Sequence, residues 1–121
     1  MATTEFTIDR ETWRRGDRGL GLTLLLNPED NTKCCLGFYA SSCGLADEDI
    51  EERAVPISIP TNIIPNEMHW LLTSTDFHRD HSEECGQLLA ANDSGDIPET
   101  ERESKIAEVF AKQGITVKFI N

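Results

Sequence analysis

The segment from Lys33 to Cys43 is apolar on nearly every side, with Cys34, Cys35, Leu36, Phe38, Tyr39, Ala40 and Cys43 in one run. A helix without a polar face has to sit at the centre of a fold, so this segment is expected to be a buried central helix. Gly44 followed by Leu45 fits a glycine stop with an apolar residue just beyond it. A hairpin pairing residues 22–26 with 34–39 is the competing arrangement, but Ala40-Ser41-Ser42 would make a poor strand end.

Punctuation sorts the rest of the chain. Glu5-Phe6-Thr7-Ile8 alternates as a strand does, and Asp9 is placed to cap a short helix through Arg15 that Gly16 would close. Asn27 to Thr32 reads as a turn. Residues 47–53 are acidic and suggest a turn or two of exposed helix. Pro56, Pro60 and Pro65 keep Val55–Pro65 out of any central strand. Asn66 can cap a short helix carrying Met68, Trp70, Leu71 and Leu72.

The last forty residues are the most legible. Ser82 can cap a helix to Ala91 with Cys85, Leu88 and Leu89 inward, and Asn92 to Asp96 reads as a turn. Thr100 and Glu103 have the spacing of a capping box, as do Asp96 and Glu99 around Pro98. The helix to residue 113 presents Ile106, Val109 and Phe110 inward until Gly114 stops it. Ile115, Val117 and Phe119 then alternate with Thr116 and Lys118, the pattern of a strand. Together these elements predict one α+β domain over residues 1–121. Its small sheet contains the N- and C-terminal strands, packed against three or four helices, with Phe38 and Phe110 in the core.

Charge narrows the partners. The chain has 22 acidic and 11 basic residues, a net charge of −11. Residues 1–46 carry six acids and five bases, so the excess of ten negative charges lies in residues 47–121. Such a field repels nucleic acid and anionic membrane and attracts basic partners. No apolar stretch approaches the roughly 20 residues needed to cross a bilayer. The first residues lack the basic flank and apolar run of a signal peptide, so a cytoplasmic protein with four reduced cysteines is expected.

Four constellations could carry chemistry. His78, His81 and Cys85, at offsets of zero, three and seven, would share one helical face and offer imidazole and thiolate to zinc. The spacing matches no standard finger, and Ser82 could start the helix only after both histidines. Exposed histidines beside a core thiol are therefore preferred, with no metal and no cofactor expected. A cysteine–histidine nucleophile needs an accessible thiol of low pKa, which cysteines on a buried helix would not be. Gly16, Gly19 and Gly21 do not have the order of a phosphate-binding loop. Arg10, Arg14, Arg15 and Arg18 could form an anion-binding edge, since arginine engages phosphate and carboxylate bidentately. Internal pairing with the acidic half of the chain is the preferred account of them.

The frame Phe6-Thr7-Ile8-Asp9-Arg10-x-x-Trp13-x-Arg15-Gly16, Lys33-Cys34-Cys35-Leu36-Gly37-Phe38, Asn92-Asp93, Glu101-Arg102-Glu103 and Gly114-Ile115-x-Val117-x-Phe119 resembles a group of small uncharacterised proteins encoded by bacteriophages and prophages. The match covers most of the chain, least so over residues 46–80. The resemblance implies an accessory phage product in a bacterial cytoplasm, of a kind that binds and redirects host proteins, defence systems included. It supplies no functional residue. The leading expectation is thus a non-enzymatic protein that engages a host protein through an acidic surface at Asp47, Glu48, Asp49, Glu51 and Glu52. An acidic DNA mimic is a special case of it. A sponge for a small anion at the arginine edge and a small metal or thiol enzyme at His78, His81 and Cys85 are the alternatives.

Overall fold

The structure is a computed structural model that describes residues 3–15, 24–73 and 80–121. Gly16, Arg18, Gly19, Gly21 and His78 lie outside the described residues, as do residues 22–23 of the competing hairpin.

The two ends of the chain meet in a parallel pair. Strand β1 (Glu5–Asp9) runs beside β2 (Thr116–Ile120), with Glu5 opposite Thr116 and Asp9 opposite Ile120. Parallel strands cannot be joined by a tight turn, and here everything between them forms the crossover. Phe6 and Ile8 point inward while Glu5 and Thr7 face solvent, the period of two that a one-sided sheet requires. A two-stranded sheet is marginal unless one face is packed. Helices α1 (Cys35–Ser42) and α4 (Glu99–Lys112) supply that packing, α1 against β1 and α4 against β2. The α+β architecture expected from the sequence is the one found.

Helix α1 is central, with Cys35, Leu36, Gly37, Tyr39 and Ala40 buried. Gly37 packs directly on the backbone of Leu25, since a Cβ there would fall 1.8 Å from the Leu25 carbonyl oxygen. Helices α1 and α4 end alike. Gly44 N–H bonds to the Ser41 carbonyl and Leu45 N–H to that of Ala40, while Gly114 and Ile115 repeat the pattern on Ala111 and Phe110. Both glycines have positive φ (100° and 77°), and each stop drives the next apolar residue, Leu45 or Ile115, into the core. Phe110, Phe6, Tyr39 and Trp70 form one aromatic cluster with centroids 4.9–5.7 Å apart. Edge-on and tilted ring contacts of this kind add to burial alone.

Helix α3 (Glu83–Asp93) is capped by Ser82, whose Oγ accepts the Cys85 N–H at 3.1 Å. It runs two residues past Ala91, so Asn92 and Asp93 are helical and not part of the expected turn. Helix α4 starts directly behind Pro98, and neither expected capping box forms. Ile106, Val109 and Phe110 are buried as expected, and Arg102 is buried with them.

Two other expectations are corrected. Residues 9–15 are not a helix: Asp9 closes β1, its carboxylate accepts the Glu11 N–H, and the Thr12 N–H returns to the Asp9 carbonyl in a turn. Thr12 and Arg14 then bond through their backbones to Lys33, which takes the Thr12 carbonyl and the Arg14 N–H out of any helical ladder. Phe38 is only half-buried, on the side of α1 where Lys33 lies over its ring. The acidic segment is a single helical turn, α2 (Asp47–Ile50), packed on α1, and 3-10 turns occupy Pro56–Ser58 and Asn66–Leu71.

Candidate functional site

The described arginines of the N-terminal edge face carboxylates of the same chain. Arg10 grips Glu103 bidentately, with Nε and Nη2 each 2.8 Å from a carboxylate oxygen. Arg15 Nε donates to Glu99 at 2.7 Å, and the guanidinium carbon Cζ lies 4.3 Å from the centre of the Trp13 ring. Arg14 stands 3.8 Å from Asp30. Glu99 also receives Nε of Arg102 at 2.8 Å, so one carboxylate joins two guanidinium groups. Burial alone would raise the Glu99 carboxyl, but the hydrogen bonds from Arg15 and Arg102 bring it below its usual value of 4.5.

Beneath this edge lies a polar knot that the sequence reading missed. Asn92 is 1% exposed. Its Oδ1 accepts the Trp13 indole N–H at 2.8 Å and the Cys35 N–H at 3.0 Å, and its Nδ2 donates to the Arg14 carbonyl at 3.1 Å. It thereby serves the start of α1, where Cys34 offers no side-chain cap. Arg102, 3% exposed, donates through Nη1 to the carbonyls of Ala91, Asn92 and Ser94 at 2.6–3.1 Å. It closes the C-terminus of α3, which is why that helix continues through Asp93.

The thiols are protected. Cys34, Cys35 and Cys85 are buried and Cys43 half-buried, all four as free cysteines. Burial pushes the thiols of Cys34 and Cys85 up to about 12 and that of Cys43 to about 11, and raises Cys35 strongly too. Groups that hold their protons at neutral pH are poor nucleophiles and poor metal ligands. Helix α3 begins at Glu83, so His81 precedes the helix while Cys85 lies within it and is buried, and the two do not share a helical face. His81 stands 3.9 Å from Asp80. No group of three or more His, Cys, Asp or Glu side chains suited to a metal occurs among the described residues.

The acidic segment has a different character. Lys33 approaches Asp47 at 3.9 Å, and Asp49 accepts the Ala46 N–H at 3.0 Å. Glu48, Glu51 and Glu52 are exposed, and their carboxylates have no ion pair or hydrogen bond among the described residues. Main-chain contacts hold this ridge in place: Glu51 bridges to Leu26, the Glu52 N–H reaches the Leu26 carbonyl at 2.9 Å, and Arg53 Nε donates to the Asp49 carbonyl. Two grooves open on the surface of the described residues. One, about 510 Å³, lies between α3 and α4 with Lys105 and Lys112 beside Ala90 and Val109. The other, about 350 Å³, lies between the C-terminal half of α4 and the start of β2. Neither is lined by an arginine.

Protein-family models, curated protein sequences and solved structures offer no match to this chain. No helix among the described residues is long and apolar enough to cross a membrane.

Proposed function

We propose that this chain is a non-enzymatic binding protein that engages a protein with a basic surface through the ridge Asp47, Glu48, Asp49, Glu51 and Glu52. The carrying observation is that Glu48, Glu51 and Glu52 project from a main-chain-anchored ridge without a cationic partner among the described residues. In a chain of net charge −11 such a ridge adds to a field that draws basic surfaces inward. The buried thiols weigh against nucleophilic chemistry, and the carboxylates on Arg10 and Arg15 weigh against a free anion site there. In the phage setting implied by the resemblance, the partner is a protein of the bacterial host and the encounter takes place in its cytoplasm.

Affinity capture from bacterial lysate followed by mass spectrometry identifies the partner, and stopped-flow kinetics then tests the mode. The association rate should fall as salt rises, because screening shortens the reach of the field. Glu51→Lys and Glu52→Lys should slow association while circular dichroism remains native. An association rate indifferent to salt and to both substitutions would reject the ridge.

A further inference from the structure

We infer that β2 is a self-association edge: two copies of this chain pair antiparallel through β2 and fuse two small sheets into one of four strands. This goes beyond the ridge and does not depend on it. Thr116 N–H donates to the Thr4 carbonyl and the Ile120 carbonyl accepts the Arg10 N–H, both at 2.9 Å. The backbone groups of Thr116, Lys118 and Ile120 therefore face β1, and strand alternation turns those of Val117 and Phe119 outward. No described strand lies on that side, since the sheet is β1-β2 alone. An open row of N–H and C=O groups is a template for another strand.

The surroundings favour a second copy as that strand. The groove of about 350 Å³ beside the edge is bordered by small groups, Ala107, Ala111 and Gly114, next to Val117. Ile120, 45% exposed, is the one large hydrophobic side chain exposed among the described residues, and it lies on this strand. Charge here is balanced, with Lys118 paired to Glu5. The acidic ridge packs elsewhere, on α1. A neutral edge gives a basic foreign segment no special attraction, and the Glu5 carboxylate held by each Lys118 offsets the repulsion between the two lysines that a pair of copies would bring together.

The strand is also self-complementary. With the two-fold axis at Lys118, Val117 exchanges both backbone hydrogen bonds with Phe119 of the second copy. Ile120 then lies beside its Thr116 on the solvent face, a β-branched cross-strand pair. The two Lys118 residues form the non-hydrogen-bonded pair, where Cα atoms stand about 4.5 Å apart, within the range a disulfide spans.

Sedimentation equilibrium over a concentration series, with the full chain, tests this. A reversible dimer is expected, and Lys118→Cys should give an interchain disulfide under mild oxidation that the wild type, with its own four thiols, does not. Val117→Pro removes an outward N–H that no described residue uses, and should weaken the dimer about tenfold or more. Ile120→Lys, at an exposed position, should weaken it too, and it keeps the test decisive if the proline variant fails to fold. A chain that stays monomeric throughout, without the Lys118→Cys cross-link, would overturn the inference. So would a dimer indifferent to both Val117→Pro and Ile120→Lys.

Discussion

The arginine edge and the acidic ridge are both rich in charge, and they use it in opposite ways. At the edge, Arg10, Arg15 and Arg102 meet Glu103 and Glu99 at 2.7–2.8 Å, above a buried asparagine that ties three segments together. On the ridge, backbone contacts hold the chain and Glu48, Glu51 and Glu52 are left to solvent. Charge at the edge is thus part of the fold, where removing one partner strands the other. Charge on the ridge contributes little to folding and is free to act on a partner.

The largest effect expected from this contrast is at the knot under the edge. Asn92→Ala leaves the Trp13 indole N–H and the Cys35 N–H without an acceptor, at about 1–3 kcal/mol for each buried donor. Chemical denaturation should show a loss of about 4 kcal/mol, whereas Glu51→Ala should stay within about 0.5 kcal/mol of wild type. A loss at Asn92 no larger than that at Glu51 would mean the edge is not a structural unit.

Much of the frame is legible in the sequence because its signals are local. The apolar run of α1, the glycines at 44 and 114, the Ser82 cap and the alternation in β1 and β2 each lie within a few residues of what they specify. The knot is not legible for the opposite reason. Asn92 finds its donors 79 and 57 residues away, and Asn-Asp-Ser-Gly-Asp by composition alone reads as a turn. Arg102 stands between Glu101 and Glu103, where a solvated face is the natural expectation. Only the carbonyls at the end of α3 explain its burial. Residues 9–15 failed for a related reason, since their backbone is claimed by distant Lys33. The ridge carboxylates can be named from sequence, but their lack of partners emerges only from the packed chain.

Acid should separate the two regions less strongly. Glu99 has a folded pKa below 4.5, so the stability it contributes is fully present above that pH and is lost as pH falls through the folded value. Melting temperature followed from neutral pH downward should decline through this window in the wild type. In Glu99→Gln the decline should be shallower, from a lower starting point. Glu51→Gln and Glu52→Gln should leave the melting temperature at neutral pH unchanged, because nothing among the described residues pairs with those carboxylates. Equal changes in all three variants would erase the distinction between edge and ridge.

The smallest effect is expected at Glu52, whose φ of 62° places a non-glycine residue in the left-handed region. That conformation costs about 1 kcal/mol for a side chain bearing a Cβ, and the Glu52 N–H bond to the Leu26 carbonyl fixes the backbone in it. Glycine removes the steric cost while loosening the unfolded chain, so Glu52→Gly should stabilise the fold by about 0.5 kcal/mol. The same substitution deletes one ridge carboxylate and should slow association with a basic partner. A more stable protein that binds more slowly is the signature of a residue retained for its surface and not for the fold. If Glu52→Gly instead destabilises by about 1 kcal/mol or more, the carboxylate helps hold the ridge together. The separation of charge for folding from charge for binding would then fail at this position.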